Sequence, residues 1–233
     1  MVLITLDPYL RMEYWWSRIE ILLRGYNMKL VDMTVKEFLS ELASSSPAPG
    51  GGSVSAMAGA NGCSLFTMVG NLTIGKKKFK ALSEDIQNQY KATLSYFENN
   101  ISAFTELIDL DTEAFNKLMT AFQLPKDNDS DMAIRNREID KATLGCIKVP
   151  LKVAILALET LRKVESMIEY SNKNTISDQG VSVLMLYSAI NGALMNVLIN
   201  LPGISDDTLK SEFKETTKAI LKESDELRKS LLD

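Results

Sequence analysis

A chain of 233 residues, 45% of them hydrophobic, is long enough to bury one ordinary core; 26 Lys+Arg against 30 Asp+Glu leave a formal net charge of -4, with no basic block that would track a phosphate backbone. Nucleic acid is therefore not expected as a partner. The chain has no histidine, which removes Ser-His and Cys-His nucleophile pairs, histidine-ligated metals and histidine general bases.

Proton transfer is left to carboxylate, lysine, tyrosine, thiol or water. The only cysteines, Cys63 and Cys146, have neither the spacing of a zinc site nor the density of a disulfide framework. Asn191, Asn196 and Asn200 interrupt even the most apolar stretch, residues 181–201, short of the roughly 20 uninterrupted apolar residues of a bilayer span. The expectation is a soluble, cytoplasmic protein with no membrane partner.

Residues 1–27 lack a charged n-region, and Glu13, Arg18, Glu20 and Arg24 break up any h-region, so they do not read as an export signal. Arg24-Gly25 can be encoded by a purine-rich run resembling a ribosome-binding site before Met28. Translation starting at Met28 is one expectation, which makes residues 1–27 a non-native extension ahead of a single domain over 28–233; an amphipathic N-terminal helix carrying Trp15 and Trp16 is the other. A native peptide containing both tryptophans decides between them.

Strand signals are scarce and helical periods run almost everywhere, which predicts an all-α, up-and-down helical bundle. Thr34 with Glu37 is a capping box, opening a short helix whose apolar face is Val35, Phe38, Leu39 and Leu42, ending near Ala43. The Pro- and Gly-rich residues 44–53 form a loop that opens a second helix. Along it Ser53, Ala56, Ala60, Cys63, Thr67 and Gly70 make a stripe of small side chains that admits a close neighbour. Gly75, in left-handed geometry, is the expected end, with Lys76-Lys77-Lys78 at the negative pole of the dipole.

The third helix is the longest and forms the central spine. Ile86, Tyr90, Leu94, Phe97, Ile101, Phe104, Ile108, Asp111, Phe115, Leu118 and Phe122 recur at steps of four and three, and Asp111 is the one charged member of the stripe. Asp109 and Glu113 lie off it and are expected to be solvated. A fourth helical region starts near Asp131 and kinks or restarts at Pro150, with Leu151, Ile155, Leu158 and Val164 inward. Ser177 or Asp178 caps the next helix, whose inward residues are Val181, Leu184, Tyr187, Met195 and Ile199. After Pro202-Gly203, Ser205 caps a last helix with Leu209, Phe213, Ile220 and Leu227 inward.

Three groups could carry chemistry. Asp111 is an ionisable group on an apolar face, costly unless it is paired or lines a solvated cavity; it is either a carboxylate bonded to a helix end or lysine, or a general acid/base whose proton affinity burial raises. Gly50, Gly51, Gly52 and Ser53 leave backbone amides open at a helix N-terminus, suited to an anion or a flat heterocycle, although such loops are also plain connectors. Lys76, Lys77 and Lys78 are either a solvated helix end or an anion clamp. Asn172, Ser177 and Asp178 sit in a polar break, and Asn196 and Asn200 stand one turn apart; buried amides of this kind serve a structural or a ligand-binding network.

Pro47-Ala48-Pro49-Gly50-Gly51-Gly52-Ser53, followed by Met68-Val69-Gly70 and Gly75-Lys76-Lys77-Lys78-Phe79, resembles the formimidoyltetrahydrofolate cyclodeaminase family. Asp109-Leu110-Asp111-Thr112-Glu113-Ala114-Phe115 is similar to the family's Asp-x-Asp-x-x-Ala-Phe segment. Val149-Pro150-Leu151, Asn172, Ser177-Asp178 and the run from Asn196 to Leu201 follow in the family's order and spacing. Residues 1–27 lie outside the resemblance.

The resemblance implies Asp111 as the catalytic residue of a folate one-carbon enzyme. It implies a tetrahydrofolate derivative, polyglutamylated in one form, bound against Gly50–Ser53 and held at its tail by Lys76 and Lys77, with Asn172, Asp178, Asn196 and Asn200 as further contacts. It also implies a homodimer with no metal and no cofactor beyond the folate. The activity is then 5-formimidoyltetrahydrofolate cyclodeaminase, a lyase, or 5,10-methenyltetrahydrofolate cyclohydrolase, a hydrolase. A reading of another class is a non-catalytic folate-binding or scaffold dimer built on the small-residue stripe.

Overall fold

The computed structural model describes residues 28–232, so both expectations for residues 1–27 fall outside the described part of the chain. Among the described residues there is no strand, and seven α-helices follow in order: α1 Val35–Leu42, α2 Gly51–Ile74, α3 Lys77–Lys80, α4 Glu84–Phe122, α5 Asp129–Ile168, α6 Ile176–Asn200 and α7 Asp207–Leu232. The all-α bundle is as the periodicities require. In place of one long helix there are two, since α5 spans 40 residues beside the 39 of α4.

Helices α2, α4, α5 and α6 form a closed ring. α2 packs on α4 and α6, α5 packs on the same two from the far side, and α7 lies along α6 and α5. Pairings along α2 fix its direction: Gly52 meets Asp111 and Gly70 meets Leu94, so α2 and α4 are antiparallel, while Gly51 meets Asn196 and Gly62 meets Leu186, so α6 also runs against α2. The interior is filled by Phe66, Phe97, Phe104, Ile147, Leu186 and Leu194, with the rings of Phe66 and Phe97 5.1 Å apart. The small side chains of α2 let its neighbours come this close.

Gly59 illustrates the packing. A Cβ there would run into the Phe104 ring, which is fully buried and has no free space to move into. Alanine favours a helix interior by about 1 kcal/mol over glycine, but overpacking a filled core costs about 1–3 kcal/mol. Gly59→Ala is therefore expected to lower the urea midpoint, a result a purely helix-propensity view would reverse.

Several local expectations change. The Thr34 and Glu37 capping box forms, but only Phe38 of the α1 face is buried; an eight-residue helix at the bundle edge cannot turn Val35 and Leu39 inward as well. Gly75 is right-handed (φ -79°, ψ -15°), because the chain turns directly into the single-turn helix α3 and needs no left-handed stop. Asp109 is half-buried and does more than face solvent: its carboxylate accepts from the Leu30 amide at 2.7 Å and ties down the segment before α1. Ser205 donates to Asp140 at 2.7 Å, and Asp206 caps α7 by accepting from the amides of Thr208 and Leu209 at 2.9 and 3.0 Å. A carboxylate suits the positive end of the helix dipole better than a hydroxyl.

Pro150 sits inside a continuous α5, so of the kink or restart expected there the restart does not occur, and Ile155 of the expected inward face is exposed. Pro150 lacks the N–H that would bond to the carbonyl of Cys146 one turn earlier. That carbonyl instead accepts from Asn200 Nδ2 at 3.4 Å, which spares it from being left unpaired.

The largest revision concerns α6. Its buried face is Val183, Leu186, Ala189, Ile190, Ala193, Leu194 and Val197, while Val181, Leu184, Met195 and Ile199, expected inside, point out of the bundle. Neither Ser177 nor Asp178 caps it; both lie within its first turn, after a 3-10 turn over Lys173–Thr175. By length and composition the stretch Lys173–Gly203 is apolar enough to cross a membrane, although 44% of its most apolar window is buried in the bundle.

Candidate active site

The N-terminus of α2 is aimed at the middle of α4. Gly50 caps the helix in extended conformation and leads directly into Gly51, Gly52 and Ser53. Ser53 is fully buried, and its hydroxyl stands 2.9 Å from the Ile108 carbonyl, 3.2 Å from Asp111 Oδ2 and 3.2 Å from Thr112 Oγ1. One hydroxyl proton cannot serve the carbonyl and the carboxylate at once, so it is shared between them, and the Ser53 amide donates to the carboxylate as well. Asp111 thus closes the first turn of α2 from a neighbouring helix. Gly52 makes the approach feasible, because any Cβ at that position would occupy the place of the carboxylate.

Asp111 is more than a cap. It lines a cavity of about 340 Å³ together with Gly50, Gly51, Gly52, Asn196 and Asn200, with Pro47, Ala48, Phe115, Cys146 and Ile199 completing the wall. Burial raises its proton affinity above that of an ordinary carboxylate, and the Ser53 hydroxyl and amide pull in the opposite direction without cancelling the effect. A carboxyl of this kind, open to a cavity on one side and held by fixed donors on the other, is a better proton acceptor than an ordinary carboxylate and is placed to pass a proton to a ligand.

The two asparagines are tethered by their amino groups. Asn196 Nδ2 donates to the Gly192 carbonyl at 2.8 Å, and Asn200 Nδ2 donates to the carbonyls of Asn196 at 2.8 Å and Cys146 at 3.4 Å. Their side-chain carbonyl oxygens remain available as acceptors for a ligand N–H. The Cys146 thiol is pushed up to about 11, first by burial and then by the charge of Asp111 beside it. It is not a thiolate at neutral pH and so is no nucleophile.

The residues named from the sequence, Asp178 apart, divide into two groups. Gly50, Gly51, Gly52, Asn196 and Asn200 share the cavity of Asp111, and Ser53 lies behind the carboxylate as a positioning residue, not a ligand contact. Lys76, Lys77 and Asn172 line a second cavity of about 510 Å³, with Lys78, Lys173 and Tyr170. That cavity is at the far end of α2, about 36 Å away along a 24-residue helix. Asn172 accepts from the Asn174 amide at 3.2 Å and donates its own amide to Thr73 Oγ1 at 3.0 Å, which makes it a structural residue of this end. Asp178 lines neither cavity.

Phe115, Cys146 and Ile199 were not singled out from the sequence as site residues. Phe115 belonged to the stripe next to Asp111 and could have been found there; Cys146 could have been found only by pairing it with Pro150. A larger, mostly apolar cavity of about 750 Å³ opens between the ends of α4 and α5, against Leu110, Ala114, Ala121 and Leu124. It faces a different side of α4 from Asp111 and holds no group suited to proton transfer beyond the rim residues Glu113, Glu138, Lys117 and Lys141.

A sequence profile described as formiminotransferase-cyclodeaminase matches residues 34–219, most of the chain and all of the Asp111 cavity. The chain belongs to the formiminotransferase-cyclodeaminase family. The methenyltetrahydrofolate cyclohydrolase of Methylorubrum extorquens is similar, 36% identical over 200 residues, covering 86% of this chain and 94% of its own. The formimidoyltransferase-cyclodeaminase of Rattus norvegicus is 29% identical over 200 residues, but the match covers only 36% of that longer protein. The crystal structure of formiminotetrahydrofolate cyclodeaminase from Thermotoga maritima is similar with a TM-score of 0.74 at 27% identity, covering 85% of this chain and 93% of that one.

Proposed function

We propose that this family member is a folate one-carbon enzyme, 5-formimidoyltetrahydrofolate cyclodeaminase, forming 5,10-methenyltetrahydrofolate and ammonia, with Asp111 as its acid/base. The observation that carries the reading is the convergence of Asp111, Gly50–Gly52, Asn196 and Asn200 on one cavity, in a chain whose relatives bear folate cyclodeaminase and cyclohydrolase names.

In this reading the formimidoyl group enters as its amidinium cation, N10 of the folate attacks its carbon on N5, and Asp111 takes the N10 proton as the new C–N bond forms. The neutral aminal nitrogen then receives that proton and leaves as ammonia, closing the methenyl ring. The proton has only to cross from one nitrogen to the other within the reach of a single carboxylate, so no histidine is required. Asn196 and Asn200 accept from the pterin N–H groups through their free side-chain carbonyls, and the glycine backbone lets the flat ring lie close to α2. The reading calls for no metal and no cofactor besides the folate, for a homodimer, and for a cytoplasmic location where reduced folates are found.

The relative from Methylorubrum extorquens, covered over 94% of its length, favours a second reading. As a cyclohydrolase, the same carboxylate takes a proton from water attacking the methenyl carbon and returns it to N5 as the N5–C bond breaks, while the new hydroxyl releases its proton to solvent and becomes the formyl carbonyl of 10-formyltetrahydrofolate. The test follows the ultraviolet absorbance of 5,10-methenyltetrahydrofolate with each folate as separate starting material. Appearance of the band from the 5-formimidoyl compound supports the lyase, and accelerated loss from the methenyl compound supports the hydrolase. Folate binding without acceleration of either leaves a non-catalytic binder.

A further inference from the structure

Pro150 stands buried in the middle of α5, which continues unbroken to Ile168. A proline in that place gives up one bond of the helix ladder and crowds the preceding turn, so for α5 itself it is unfavourable. The carbonyl left without an intrahelical partner belongs to Cys146, the residue through which α5 reaches the Asp111 cavity: its side chain is part of the wall. Pro150 does not line that cavity.

The end of α6 is fastened along the same stretch of α5. Ser205 donates to Asp140 at 2.7 Å, the turn at Gly203 lies so close to Thr143 that a Cβ there would stand 3.0 Å from its Cγ2, and Asn200 Nδ2 donates to the Cys146 carbonyl at 3.4 Å. The last of these bonds bears on the site. Both hydrogens of the Asn200 amino group are placed, one on the Cys146 carbonyl and one on the Asn196 carbonyl. Turned over, the amide would set its oxygen against two carbonyl oxygens, so the pair of acceptors fixes which way the group faces and leaves its oxygen for a ligand. The Asn196 carbonyl alone, one turn back on the same helix, would hold the group by a single bond about which it can swing.

The second acceptor depends on the proline. An N–H at position 150 would claim the Cys146 carbonyl for the ladder of α5 and draw it into line with the helix axis, whereas a carbonyl released from the ladder can tilt outward to a donor on a neighbouring helix. Resting on the folate reading above, we propose that Pro150 is a positioning residue of the active site: the carbonyl it frees at Cys146 orients the Asn200 side chain so that its oxygen accepts from a pterin N–H. Asp111 is held separately, by Ser53. The signature of the proline is therefore tighter binding of the folate, with the proton transfer left as it is.

Pro150→Ala and Pro150→Val both restore the N–H, and valine nearly fills the space of the ring, so an effect common to the two is not that of a cavity. Each is made in the wild-type chain and in Asn200→Ala, and KM and kcat are measured for whichever folate the wild type turns over. In the wild-type chain either substitution is expected to raise KM about five- to tenfold, the worth of one hydrogen bond, with kcat and its pH dependence unchanged. In the Asn200→Ala chain neither should raise KM further, because the group through which Pro150 acts is gone. An equal rise in both backgrounds, an unchanged KM, or a fall in kcat alone overturns the proposal and leaves the proline a packing residue.

A second readout needs no turnover. In protein labelled with 15N-asparagine, the side-chain amide signal missing from Asn200→Ala is that of Asn200. In the unliganded wild type its hydrogens are expected to exchange slowly with solvent, and in either proline variant faster. Equal exchange in wild type and variants overturns the proposal, and so does wild-type exchange as fast as that of an exposed asparagine, even if no Pro150 variant folds. If the exchange result holds while wild type turns over neither folate, the proposed reaction fails and the hold of Pro150 on Asn200 stands.

Discussion

Asp111→Asn is expected to lower turnover by about 10²–10⁴-fold, the usual worth of a positioned acid/base, without lowering thermal stability at pH 7. Asparagine keeps the shape and can still accept from the Ser53 amide, but it cannot take up a proton. The stability expectation follows from the direction of the shift. Asp111 has a folded-state proton affinity above its ordinary value of 3.8, mainly through burial, so the ionised form burdens the fold. That burden is absent below pH 3.8, grows as the pH rises toward the folded-state value, and is complete above it. The melting temperature of the variant relative to wild type should therefore improve from acid to neutral pH. The wild-type rate should fall as the pH is lowered through that raised value, as the base becomes protonated. A variant that keeps its turnover would reduce Asp111 to a cap on α2.

Gly52→Ala is expected to separate activity from stability in the same way by a different route. The Cβ collides with the Asp111 carboxylate, which is the free end of a side chain facing a cavity and can swing aside. The backbone need not move, and alanine gains about 1 kcal/mol of helix propensity over glycine. The displaced carboxylate no longer reaches the reacting nitrogen, and a misplacement of about 1 Å costs about 10²-fold in rate. The checks are kcat for both folates and the melting temperature. A large fall in kcat with an unchanged or higher melting temperature is the expected result, and unfolding with lost rate would show that the backbone had shifted instead. Gly52 and Gly59 thus predict opposite outcomes for one substitution, because the atom in the way is mobile at one position and locked in the core at the other.

How far the site could be read from the sequence varies by residue. Asp111 is legible because one charge in an otherwise apolar helical stripe must be held by something, and the structure supplies both a holder, Ser53, and a cavity. Asn196 and Asn200 are legible through their one-turn spacing on an apolar helix. The link from Pro150 to the Cys146 carbonyl to Asn200 is not, because it joins two helices through a hydrogen bond that no local pattern encodes. That Lys76 and Lys77 line a different cavity from Asp111 is also not legible, since the order of motifs in a family pattern says nothing about which end of a long helix each occupies.

Local chemistry determines the helices, their breaks, the inward placement of Asp111 and the need for small residues along α2, because periodicity, capping and glycine or proline effects act within a few residues. Only the tertiary structure decides which face of α6 is inside. Both faces of that helix are apolar, so the period is the same whichever way it turns, and the choice falls to how Gly62, Ser182 and Leu186 fit against α2. The same packing runs α2 antiparallel to α4 and α6, bringing Gly52, Asp111 and Asn196 to one end of the bundle and leaving the lysines at the other.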